Sequence, residues 1–273
     1  MRNLKLLFVL FLGVGLTFAS CKKDEEKKDD GGNPTPTAKT CYVVKETSSD
    51  NSYREMIYNS DHLITEYKNY KTDGSLGENN KLTYTNGKVS LVKSYQGSDY
   101  KAKIEFKYSA DKIDTAYIYM DTLGMMKKVG FYKYLYNDNK ITTISTYFEI
   151  FGQSFVISKT EFTFSGDNVT KTVEYETDST LSLQLTSTTI FEFDDKVNPY
   201  RNIGVNDLMG DPAFMSKNNI AKMTVKDNAG NVTDKKSYNL TYEYNSDNYF
   251  TKYVKTNFDN SKSTTYTLEY DCK

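Results

Sequence analysis

The chain has 273 residues, with 35 Lys and Arg against 36 Asp and Glu and a formal net charge of -1. That balance, with no basic stripe anywhere along the sequence, excludes the electrostatic footprint of a nucleic-acid-binding protein. Beyond the first twenty residues no apolar run is long enough for a transmembrane helix.

Arg2 and Lys5 precede an apolar run from Leu6 to Leu16, followed by Thr17-Phe18-Ala19-Ser20-Cys21. The run is too short to span a bilayer and has the proportions of a signal-peptide core, which predicts a signal over 1–20. Small residues at Ala19 and Ser20 before Cys21 resemble the lipobox of bacterial lipoproteins. The resemblance implies that Cys21 takes a diacylglyceryl group, becomes the new N-terminus and anchors the chain to a membrane. An ordinary secretory signal cut after Ser20, with Cys21 a free thiol, is the competing reading.

Residues 22–30 are purely charged and lead into Gly31-Gly32-Asn33-Pro34-Thr35-Pro36-Thr37. Such a composition cannot bury apolar surface, so 21–38 is expected to be a solvated tether. Lysines followed by acidic residues directly after the Cys resemble the surface-export signal of Bacteroidota lipoproteins. This implies an outer-membrane protein facing the cell exterior; a periplasmic location, for which any hydrophilic tether would serve, stays open.

Residues 39–273 show no second linker and are predicted to form one all-β domain. Only three Cys occur, and lipidation of Cys21 leaves Cys41 and Cys272 as an even pair in an oxidising setting. They flank the folded region, so a disulfide between them requires the chain ends to meet within about 7 Å, Cα to Cα. Two separate free thiols are the alternative.

An aromatic residue, four mostly polar turn-formers and an apolar residue recur from Tyr58 to Leu63, Tyr84 to Val89, Tyr108 to Ile113, Tyr136 to Ile141, Phe164 to Val169 and Tyr244 to Tyr249. In a two-residue hairpin such as Asn86-Gly87 the outer two positions of such a unit face each other, so each aromatic is expected to touch its apolar partner. Between these turns the residues alternate, as in Ala102, Ile104, Phe106 and Tyr108 against Lys101, Lys103, Glu105 and Lys107, the pattern of strands with one buried face. Turns of the opposite edge fall at Asp73-Gly74, Gln96-Gly97, Leu123-Gly124, Phe151-Gly152, 227–231 and Asp259-Asn260. The count predicts a long antiparallel meander of about sixteen strands, in the form of a flattened or partly open barrel.

The regular spacing breaks after Phe193-Asp194-Asp195-Lys196, and patterning returns only at Ile220. An inserted loop over 197–219 is expected, either a cap on the core or a binding element. Tyr200, Arg201 and Asp211 within it are the candidate ligand contacts.

The lipobox and acidic tether, the repeated Tyr-Asn/Asp turns, the segment from Phe193 to Tyr200 and Asn218-Asn219-Ile220 together resemble a family of Bacteroidota lipoproteins with a porin-like or barrel-like domain of unknown function. The resemblance covers most of the mature chain and supplies no activity or site residues. The turns are also similar to those of Rhs-type shell proteins, but the Gly-Arg that follows those turns is missing, so similar hairpins arise by convergence.

Chemistry-bearing motifs are absent: there is no P-loop, GxSxG, HExxH or paired-Cys spacing. The single His62 sits at a turn position without a nucleophile or ligand cluster nearby in sequence. Asp194-Asp195 and Asp227-Asn228 do not have the ligand spacing of an EF-hand. No catalytic residue, metal ligand or cofactor is therefore assigned. The expected function is a non-catalytic surface module for a glycan, peptide or envelope protein. A structural or assembly role and, third, a glycan-active enzyme are the alternatives.

Overall fold

The computed structural model describes residues 39–203, 205, 208 and 210–273; the signal segment, Cys21 and all but the end of the tether lie outside the described residues. Sixteen strands follow one another. They are β1 Cys41–Ser48, β2 Tyr53–Tyr58, β3 Ile64–Tyr70, β4 Leu76–Thr85, β5 Lys88–Gln96, β6 Asp99–Ser109, β7 Lys112–Thr122 and β8 Met125–Asn137. The second half comprises β9 Lys140–Ile150, β10 Gln153–Ser165, β11 Asn168–Thr177, β12 Leu183–Val197, β13 Asn218–Asp227, β14 Tyr238–Tyr244, β15 Phe250–Asn257 and β16 Ser263–Cys272.

Each strand pairs antiparallel with its neighbours in sequence, and β16 pairs with β1 to close a barrel. The all-β meander and its strand count are as the sequence predicts, and of the forms left open the ring is closed rather than partly open. Cys41 stands opposite Cys272 and the two form a disulfide, with Cα atoms 4.1 Å apart. Closure gives every described strand a hydrogen-bonded neighbour on each side, so the sheet has no edge strand.

The repeat has a physical meaning in this ring. Tyr84 faces Val89, Tyr108 faces Ile113, Tyr136 faces Ile141 and Phe164 faces Val169. At the first and last repeats the expected partner is displaced by one residue: Tyr58 faces Ile64, and Tyr244 faces Phe250. In both, an Asn side chain stretches the turn, Asn59 accepting from the Asp61 and Leu63 amides and Asn245 from those of Asp247 and Tyr249. Leu63 and Tyr249 thereby belong to the turn. The Tyr58, Tyr84 and Tyr108 phenols donate to the Val43, Ile64 and Val89 carbonyls at 2.8, 2.8 and 2.9 Å. A tyrosine of one hairpin thus satisfies a backbone acceptor of the hairpin before it, while its ring stays in the core.

Outside, β6 presents Lys101, Lys103, Glu105 and Lys107 while Ala102, Ile104 and Phe106 are buried inside. Ion pairs such as Lys103–Glu105, Lys128–Glu149, Lys159–Glu161 and Lys222–Glu192 spread this charge around the wall. A lipid-embedded barrel carries an apolar outer band instead.

A ring of sixteen strands is too wide for its own side chains to fill. The segment between Val197 and Asn218 solves this by folding inward as a plug, with a 3-10 turn at Pro199–Ile203 and a short helix α1 at Pro212–Met215. Tyr200, Ile203, Val205, Leu208, Phe214 and Met215 join the same hydrophobic core as the strand residues. The plug crosses the lumen: Nδ2 of Asn202 donates to the Cys41 carbonyl at 3.0 Å, and the Tyr134 phenol on β8 donates to the Leu208 carbonyl.

Candidate functional site

The plug enters from the barrel end that carries the chain termini and does not fill the lumen. Between it and the walls of β1 to β3 and β14 to β16 remains a cavity of about 540 Å³. The cavity runs to the opposite end, where Ser48, Ser52 and Tyr266 line it. One wall is aromatic, built from Tyr238, Tyr242, Tyr253 and Tyr266. The Tyr253 and Tyr266 rings stack, with centroids 4.6 Å apart and planes 14° from parallel.

The adjoining wall of β1 and β2 is held by an ion pair. Glu46 is only 5% exposed, and its Oε2 lies 2.6 Å from Nη2 of Arg54. The same carboxylate accepts from the Tyr200 phenol, and its Oε1 accepts from Tyr253 at 3.2 Å. Arg54 donates through Nη1 to the Tyr67 hydroxyl at 2.9 Å. This pairing offsets the cost of taking both charges out of water. Burial, and then the Glu46 carboxylate, push the Tyr253 phenol well above its ordinary range, so it stays a proton donor. Arg54 Nε is buried without a hydrogen-bond partner, as is Oδ1 of Asn219 at the cavity edge.

Asp211 and Lys255 complete the charged lining. Asp211 caps α1, accepting from the Ala213 amide at 2.8 Å, and desolvation raises its carboxyl above the usual range. Lys255 Nζ sits 3.8 Å from the centroid of the Tyr238 ring, a cation–π arrangement. Desolvation, and then Lys262, hold the Lys255 ammonium below its ordinary range.

Of the three contacts named from sequence, the structure brings Tyr200 and Asp211 to the cavity. Arg201 is not among the lining residues; its amide closes the 3-10 turn on the Asn198 carbonyl at 3.1 Å. The sequence reading missed Glu46, Arg54, Tyr253 and Lys255. Two of them carried a signal, since Arg54 is in strand phase with Met56 and Tyr58, and Lys255 with Tyr253. A charge in phase with the apolar face marks a lumen position. Glu46 gave no such signal, because a register shift between Val43 and Lys45 breaks the phase of β1. His62 lies in the β2–β3 turn, stacked on Tyr42 with ring centroids 4.7 Å apart.

No protein-family model matches the chain, and no curated protein matches it. Solved structures do. A porin-like protein from Bacteroides vulgatus superposes with a TM-score of 0.56 at 12% identity, over 84% of this chain and 98% of that one. A porin-like protein from Bacteroides uniformis gives 0.51 at 12% identity, over 84% and 96%. This chain shares their barrel fold.

Proposed function

We propose that this protein is a lipid-anchored module of the bacterial envelope that captures a small ligand in the lumen without transforming it. The observation that carries the reading is the cavity. A plugged ring leaves a space within the usual size of ligand pockets, lined by aromatic rings with fixed polar groups between them. The sequence around Cys21 supports the anchor, and the charged outer wall fits a barrel held beside a membrane by lipid rather than embedded in it. The folded chain's first residues lie at the plugged end, so an anchor there leaves the cavity mouth pointing away from it.

A second reading, assembly with another envelope protein, is favoured by one observation. Leu123 and Phe151 stand 97% and 98% exposed at the tips of the β7–β8 and β9–β10 turns.

Two measurements test the main reading. A clickable fatty acid should label the wild type in cells and not Cys21→Ala; equal labelling removes the anchor. Purified 39–273 should bind the neutral fluorophore N-phenyl-1-naphthylamine at one site, and Ser48→Trp, which fills the cavity, should abolish it. Binding unaffected by Ser48→Trp, or no binding, overturns the lumen as the site.

A further inference from the structure

The hydrogen-bonding inventory of the cavity is lopsided. Both oxygens of Glu46 are occupied, Oε2 by Arg54 and Tyr200 and Oε1 by Tyr253. The Asp211 carboxylate caps α1. The protein has thus spent its anions internally. Its cations have not been spent to the same degree. Arg54 Nε keeps an unmet donor. Its outward neighbour Lys252 pairs with Glu243 at 2.6 Å, whereas Lys255, on the lumen face of β15, has no carboxylate within salt-bridge distance among the described residues; its ammonium rests on the Tyr238 ring. The Asp211 carboxylate acts on this ammonium through space but no hydrogen bond joins the two, so a desolvated ammonium resting on a ring keeps room for a directly bonded acceptor.

The surroundings of Lys255 restrict what that acceptor belongs to. Tyr238, Tyr253 and Tyr266 present ring faces and edges beside it, and Leu240 adds an apolar side chain. A small inorganic anion would leave this surface uncovered. A ring-bearing body covers it, with its acid group directed at Lys255.

We propose that the cavity selects organic anions: a planar or ring-shaped body against the tyrosine wall, and a carboxylate, sulfonate or phosphate group paired with Lys255. The proposal rests on the lumen being the binding site. Selectivity is a difference between affinities, so its test needs two probes that differ only in the acid group.

8-Anilinonaphthalene-1-sulfonate and N-phenyl-1-naphthylamine are such a pair, sharing the anilinonaphthalene frame and differing by the sulfonate. Purified 39–273 should bind the sulfonate at least about tenfold more tightly, the scale of one good charge-assisted contact. Lys255→Met and Lys255→Gln should each erase the difference, so that within either variant the sulfonate binds no more tightly than the neutral probe. Lys252→Met, on the outer face of the same strand, should change neither. Equal affinities in the wild type, or a sulfonate preference that survives both Lys255 substitutions, overturns the proposal while leaving the lumen site intact. Failure of both probes to bind removes the site and the selectivity together.

Discussion

Glu46 and Arg54 show how one residue pair organises a wall. They face each other across β1 and β2 in register, and Tyr67, Tyr200 and Tyr253 close around them from β3, the plug and β15. Removing one charge strands the other: Arg54→Met is expected to destabilise the barrel by about 3–5 kcal/mol, as for other broken buried pairs. Adding Glu46→Gln should recover a large part of that loss, because the uncompensated carboxylate is gone. Urea unfolding of the single and double variants measures both. An Arg54→Met cost below 1 kcal/mol would mean that water reaches Glu46 freely. The network was unreadable from sequence, since its members sit as far apart as Glu46 and Tyr253 and meet only when the ring closes.

At the scale of elements, the plug is both core and lining. The sequence reading left the loop over 197–219 as a cap or a binding element; in the structure its Phe214 and Met215 are buried in the core, while its Asp211 and Ala213 line the cavity. Its seat is tight at Gly210, whose φ is +70° and where an added Cβ would lie 2.6 Å from Ile144 Cδ1 and 2.7 Å from Phe162 Cζ. Gly210→Ala therefore combines a left-handed backbone cost with overpacking and should destabilise by about 2–4 kcal/mol. Gly74→Ala, with φ +78° and nothing within 4 Å, should show only the backbone part, about 1–2 kcal/mol. Equal losses in the two variants would mean that the plug does not hold Gly210 against the wall. The insertion was visible in sequence as a broken spacing. Its inward path was not, because the apolar residues of the loop lack the period of a strand or helix that would assign them a face.

The whole molecule is a ring whose two ends are bonded. Repeat spacing, alternation and the pairing of Cys41 with Cys272 were legible in the sequence because each is a local pattern or a count. Closure itself depends on how sixteen strands coil, and no short segment encodes that. The disulfide spans a sequence separation of 231, and replacing both cysteines by Ser should cost about 2–5 kcal/mol. Hydrogen exchange should quicken first in β1 and β16, the strands the bridge joins. Unchanged protection there would show that backbone pairing alone closes the ring.

The meeting of the two ends also decides how the barrel carries a load. Thr40 and Lys273 exchange a pair of backbone hydrogen bonds, at 3.0 and 3.1 Å, directly beside the disulfide. A pull applied ahead of Lys39 would meet the Thr40–Lys273 hydrogen bonds and then Cys41, where the covalent bond divides it between the first strand and the last. The first strand cannot be unzipped from the ring by itself. A pull that would peel an open sheet instead drags the plugged end as one piece, and the cavity, at the far end, is spared the strain.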